Sequence, residues 1–167
     1  MPLRSDWSGS VCPIARSLEV VGDPWVLLIL RNALLGTRHY ERFRDELGIA
    51  DNVLSRRLQA MVDAGLLRQV PYRSRRRTHF EYHLTEAGAD LLPVLNALAR
   101  WGNAHTTAPV PGEQLGIVHR DCGHASTSAD TCSHCGAELR PAGVAWHRPW
   151  RSPVPTPLAT ADDPGAA

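Results

Sequence analysis

Three of the four cysteines, Cys122, Cys132 and Cys135, crowd into a fourteen-residue stretch of a 167-residue chain. That is too few for a disulfide-built scaffold and too dense to be incidental. Cys132-Ser133-His134-Cys135-Gly136 has the form of a zinc knuckle, in which two thiolates flank a tight turn and the glycine relieves its backbone. His119-Arg120-Asp121-Cys122-Gly123 repeats that form with histidine in the first place. Two such halves facing each other across a short hairpin supply the tetrahedral Cys3His set of a structural zinc ion, as in zinc ribbons. His124 competes as fourth ligand and His134 lies inside the second turn; the shared x-x-Cys-Gly ending favours His119. A catalytic metal is not expected, because four protein ligands leave no open position and no histidine-glutamate pair at helical spacing supplies a base.

A second constellation is electrostatic. Residues 66–84 carry Arg68, Arg73, Arg75, Arg76 and Arg77 against Glu81, an excess of four positive charges in a chain whose total is only +1. Such a local excess suits a hairpin lying along phosphates or reaching into a narrow minor groove. Just upstream, residues 51–64 read as a helix with Leu54, Leu58 and Met61 on one face and Asn52, Arg56, Gln59 and Asp63 opposite, Ser55 at the flank. Arg56 has the fork that matches a guanine edge, Asn52 and Gln59 the amides that match adenine, and Ser55 reaches a base or a phosphate. No nucleophile, base and orienting acid form a recognisable set, so an enzyme is not expected.

The elements that must hold these groups follow from periodicity. Residues 1–11 read as a flexible arm. A short helix from Pro13 to Val21 has Ile14, Leu18 and Val21 on one stripe. Asp23 and Pro24 then open a helix that is apolar on most sides through Leu35, and such a helix belongs at the centre. Gly36 ends it, and a third helix with Phe43 and Leu47 inward stops at Gly48. Asp51 is the expected cap of the helix over 51–64. Leu66 to Val70 and Phe80 to Leu84 read as two strands, with residues 71–78 as the charged connection and Tyr72 beneath it. Thr85 caps a long helix running to about His105, bent at Pro93. Residues 106–112 form a linker, 113–150 the cysteine module, and 151–167, rich in proline, a disordered tail.

The expected fold is therefore mainly α with a small β wing, a winged helix-turn-helix, followed by a small zinc-ribbon-like β module. The module has few apolar residues, so metal ligation would contribute directly to its folding. Trp146 and Trp150 near its end either pack it against the winged helix or line a ligand cavity. A pocket between Trp25 and Trp101 for an aromatic or apolar small-molecule effector is a further expectation from the tryptophan positions. No run of about 18 apolar residues or signal-type segment is evident, which points to the cytoplasm rather than a membrane. All 18 basic residues are arginine, a bias that carries no functional weight by itself.

Residues 12–105 resemble the HxlR family of bacterial winged-helix transcriptional regulators, relatives of the MarR type. The resemblance rests on the Cys12-Pro13 start, Gly22-Asp23-Pro24-Trp25, the phrase VLSRRLQAMVDAGLL, and LTEAG followed later by Trp101-Gly102. It implies a homodimer joined through residues 12–21 and 86–105, with two recognition helices reading an inverted repeat of double-stranded operator DNA, as repressor or activator. It also places Cys12 where thiol-sensing members carry a cysteine. A helix start favours a thiolate there, although small cysteines also sit at dimer interfaces without any chemistry. The alternative function is a winged-helix protein-interaction module in a larger assembly, since fold alone does not fix use.

Overall fold

A computed structural model describes residues 6–74 and 77–161; the side chains of residues 73–78 lie outside that description. Helix α1 (Pro13–Val21) has no buried residue, and Ile14 and Leu18 stand exposed on its stripe. Helix α2 (Pro24–Leu34) starts where the Asp23 carboxylate accepts the Trp25 backbone N–H at 2.9 Å. It buries Val26, Ile29, Leu30, Ala33 and Leu34, which makes it the axis of the core. Helices α3 (Tyr40–Leu47) and α4 (Asp51–Asp63) cover it by inserting Phe43, Leu54, Leu58 and Met61. Asp51 does not cap α4. The cap position belongs to Ala50, with no side-chain hydrogen bond, and Asp51 is the first helical residue, where its charge still complements the helix dipole.

The wing pairs β1 (Leu67–Ser74) with β2 (Arg77–Leu84) in antiparallel register from Leu67↔Leu84 to Ser74↔Arg77. Its strands extend well into the residues expected as a connection. Arg68 and Gln69 stand exposed on the ribbon, so polar residues do not oppose pairing, and the register continues to Ser74↔Arg77. An isolated bridge from His39 to Glu81 adds the segment before α3 to the edge of β2. Thr85 does cap a helix, accepting the Gly88 N–H at 3.1 Å, but that helix is the four-residue α5 (Glu86–Ala89). The chain breaks at Asp90 and Leu91, and α6 (Leu92–His105) restarts with Pro93 in its first turn. Proline lacks the N–H a helix interior needs, so the break falls before it instead of a bend at it.

The C-terminal module is a four-stranded antiparallel sheet ordered β4-β3-β5-β6, from β3 (Gly116–His119), β4 (Ala125–Ser126), β5 (Val144–His147) and β6 (Thr156–Pro157). The expected disordered tail is corrected over 151–161, while 162–167 lie outside the described residues. β6 completes the sheet, Leu158 is buried with its N–H on the Val144 carbonyl, and the Ala159 N–H reaches the Leu34 carbonyl at 2.7 Å. Proline is tolerated here because β6 is an edge strand.

The sheet is not a separate bead. Ile117, Leu139, Val144 and Trp146 belong to the same buried cluster as the helices. Asn96 on α6, wholly buried, accepts the Trp146 Nε1–H at 2.9 Å and donates Nδ2 to the Ala129 carbonyl at 2.8 Å. Asn103 clamps the backbone of Leu115 through both its amide atoms. Buried polar atoms left without partners cost about 1–3 kcal/mol each. Asn96→Ala is therefore expected to lower stability by about 2–4 kcal/mol in urea denaturation, and a loss below about 0.5 kcal/mol would show that this joint does not hold the module.

Candidate nucleic-acid face and metal centre

Helix α4 is anchored from both sides. Its apolar residues enter the core, and Arg57, next to the outward Arg56, turns inward to pair with Asp23 at the start of α2. On the opposite side Asn52, Ser55, Arg56 and Gln59 are all exposed. Arg56 Nε rests on the Asn52 carbonyl at 3.1 Å and Gln59 Nε2 on the Asp63 carboxylate at 2.8 Å. These are weak surface contacts that a ligand can displace.

Tyr40 on α3 was not among the residues singled out from sequence. Its hydroxyl bonds the Asp51 carbonyl and carboxylate at 2.9 and 3.1 Å and the Ser55 hydroxyl at 3.1 Å, so it fixes the first turn of α4 against α3. A tyrosine at the first position of a helix, eight residues before its glycine stop, gives no sequence signal for this; the contact depends on how the two helices cross. In the wing, the expected position of Tyr72 beneath the charged tip becomes edge contact with His39 at 5.2 Å and tilted contact with His79 at 5.6 Å between ring centroids. Glu81 lies 3.4 Å from His39 and 2.6 Å from His83. The candidate contacts Arg75 and Arg76 fall outside the described residues; Arg73 and Arg77 lie in the strands, with their side chains outside the description.

In the module, the ligand-type atoms of His119, Cys122, Cys132 and Cys135 all lie within 4.8 Å of one another, a compact potential metal-binding cluster. His119 Nδ1 is 3.3 Å from the Cys122 and Cys135 sulfurs, and Cys122 and Cys132 Sγ are 3.7 Å apart. Gly123 and Gly136 follow the two turns with φ of 72° and 76°, left-handed values that a side chain would strain. Backbone N–H groups of Cys135 and then His134 point at Cys132 Sγ and, outweighing desolvation, pull its pKa down to about 6. At Cys122 the His124 backbone N–H acts the same way, but desolvation and the neighbouring thiols prevail and the pKa rises. His119 is buried, with its Nε2 3.7 Å from the exposed Asp121 carboxylate. His124 faces elsewhere: it stacks on His134 at 3.5 Å and donates Nδ1 to the Cys122 carbonyl.

Neither tryptophan of the expected Trp25–Trp101 pocket lines the cavity of about 850 Å³ beside α2: Trp25 packs against the core, while Trp101 is 60% exposed beside His105. The large cavity of the molecule instead has Trp146 and Trp150 in its wall.

Comparison with known proteins bears on the whole arrangement. A family model for HxlR-like helix-turn-helix proteins matches residues 20–109. The uncharacterised HTH-type transcriptional regulator Rv3095 of Mycobacterium tuberculosis is 40% identical over 126 residues, 75% of this chain and 78% of its own. Among solved structures, the transcription-factor candidate PA1607 superposes with a TM-score of 0.67 at 35% identity, covering 81% of this chain and 93% of its own. The candidate PA1374 of Pseudomonas aeruginosa gives 0.51 at 41% identity, over 77% and 86%. An 81% overlap is longer than residues 12–105, so the likeness to PA1607 runs into the C-terminal module.

Proposed function

The chain belongs to the HxlR-like helix-turn-helix family of transcriptional regulators, and from that premise we propose that it works as a cytoplasmic homodimer on an inverted repeat of duplex DNA, regulating rather than catalysing. The observation that carries this reading is α4. Its inner face is locked by Leu54, Leu58, Met61 and the Arg57–Asp23 pair, and its outer face presents Asn52, Ser55, Arg56 and Gln59 without burying them. A rigid helix with a free polar face enters a major groove without reordering, where Arg56 would read a guanine edge and the two amides adenine. Arg73, Arg75, Arg76 and Arg77 would add phosphate or minor-groove contacts from the wing tip.

Dimerisation is assigned to residues 12–21 and 86–105. Ile14, Leu18 and Val20 on α1 and Val94 and Trp101 on α6 are exposed apolar residues of those two elements, and a two-fold contact that buries them is the economical way to remove them from water. Cys12, exposed at the start of α1, is the candidate thiol for redox or electrophile response.

The Cys3His cluster is assigned to structural zinc. Tetrahedral zinc with ordinary bond lengths requires S···S near about 3.8 Å and N···S near about 3.5 Å, and the observed 3.7 and 3.3 Å fit with little adjustment. His119 would bind through Nδ1, with the three thiolates closing the site. The metal would supply cross-linking of the two turns and no reaction step, since no coordination position is left for a substrate.

Two measurements check this function. On a duplex selected from a random pool, Arg56→Ala should weaken binding by about 1–3 kcal/mol and relax preference at one base position. Replacing Arg75, Arg76 and Arg77 with alanine should instead flatten the slope of log affinity against log salt by about 0.9 per lost phosphate contact. A slope that stays unchanged, or a wild-type affinity indifferent to salt, removes the wing from the interface. Elemental analysis of reduced protein should give one zinc per chain, lost in Cys132→Ser and retained in Cys12→Ser; a zinc-free module with an intact fold contradicts the metal assignment.

A further inference from the structure

One side of α2 is covered incompletely. Between α2, α6, the linker and the module lies a cavity of about 850 Å³, in the size range that encloses a small organic molecule. Leu27, Leu28, Leu95, Leu98, Trp146 and Trp150 make its wall predominantly apolar. Arg31 belongs both to this cavity and to a second chamber of about 310 Å³, and the two also share Leu115 and Trp150. The second chamber adds Arg42, Arg148 and Arg151, with Glu46 as the acid in its lining. An apolar chamber thus adjoins a cluster of guanidinium groups.

The charges in that cluster do not balance. Glu46 is already engaged: one oxygen accepts from Asn32 Nδ2 at 2.9 Å and the Thr37 hydroxyl at 2.7 Å, and the other pairs with Arg42 at 3.0 Å. Arg31 spends Nε and Nη2 on the amide oxygen of Asn32. Arg148 reaches the Thr156 hydroxyl at 3.3 Å and leaves its Nε buried without a partner. Among the described residues, no ion pair joins Arg31, Arg148 or Arg151 to an acid. Desolvation and then repulsion from Arg148 push the Arg31 pKa down against the attraction of Glu46, with Arg151 adding to the fall, and desolvation followed by Arg151 outweighs Glu46 at Arg148 in the same way. Crowded, partly desolvated guanidinium groups that share Glu46 as the one acid in their chamber's lining are costly, and an anion with an apolar body removes that cost while filling the cavity. The acid in the larger chamber, Glu113, is the first residue of the module and does not line the second chamber with its arginines.

We propose that this cavity is a binding site for a small amphipathic anion, its aromatic or alkyl body against Leu27, Leu98, Trp146 and Trp150 and its carboxylate-like head between Arg31, Arg148 and Arg151. The site lies apart from the α4 face and from the cysteine cluster, and its occupancy is measured without DNA, so it stands or falls separately from the regulator reading.

The test uses 8-anilinonaphthalene-1-sulfonate and its uncharged counterpart N-phenyl-1-naphthylamine, which share one aromatic body, with the full-length protein. The sulfonate should bind at one site per chain, with energy transfer from tryptophan. Arg148→Gln/Arg151→Gln should weaken it at least ten-fold and change the uncharged probe less than two-fold; Ala99→Phe, which narrows the apolar chamber, should weaken both. Arg151→Gln alone, at an exposed position, should weaken the sulfonate about three-fold and covers the case in which the double variant misfolds. Sulfonate binding insensitive to the arginine changes places the probe on exposed apolar surface and overturns the proposal. So does an Ala99→Phe variant that alters the sedimentation mass but not probe affinity, which assigns the cavity to a second copy of the chain.

Discussion

Everything in this molecule is arranged around the need to cover α2. A helix with Val26, Ile29, Leu30, Ala33 and Leu34 buried, and Leu27 and Leu28 on its remaining faces, is apolar in nearly every direction. At roughly 25 cal/mol per Å² of apolar surface, leaving any face of it in water is unfavourable enough to decide what packs there. Helices α3 and α4 and strand β2 cover one side, and the C-terminal module with residues 156–159 covers another. The Ala159–Leu34 backbone bond and the Asp23–Arg57 pair lie at opposite ends of the same helix, tying the end of the described chain and the putting-forward of α4 to one element.

This constraint links the two constellations visible in the sequence. The arginine wing and the cysteine cluster are separate in chemistry, but both rest on the same core. β2 continues through Leu84 into that core, and the module enters it through Trp146, held by Asn96. A metal that rigidifies the two turns of the module would also stabilise the cover over α2, because ligation and folding of so small a sheet are one process. The large cavity is the remainder: the place where the module and α6 approach α2 without closing on it.

Much of this was legible because it is local. The helical stripes, the Asp23-Pro24 start, the glycine stops and the repeated x-x-Cys-Gly need only neighbours in sequence, and the chain shows them where spacing placed them. What could not be read depends on tertiary proximity. Residues 151–161 look like a proline-rich tail by composition, yet an edge strand and one buried leucine give them a place in the sheet. Arg56 and Arg57 are adjacent and chemically alike; the helical period sets Arg57 beside the Leu54–Met61 stripe, but its partner Asp23 is supplied by another helix start. Tyr40 gains its role from a helix crossing, and of the tryptophans conspicuous in the sequence it is Trp146 and Trp150, not Trp25 and Trp101, that line the large cavity.

The central claim, that a fixed α4 offers its polar face to a major groove in each half of a two-fold complex, is tested most directly by hydroxyl-radical and methylation footprinting of the protein on the DNA upstream of its own gene. The account predicts two windows of major-groove guanine protection on one face of the duplex, their centres about one helical turn apart or a multiple of it, about 34–36 Å per turn. A single window, protection spread evenly around the helix, or none at concentrations where the protein is folded contradicts it.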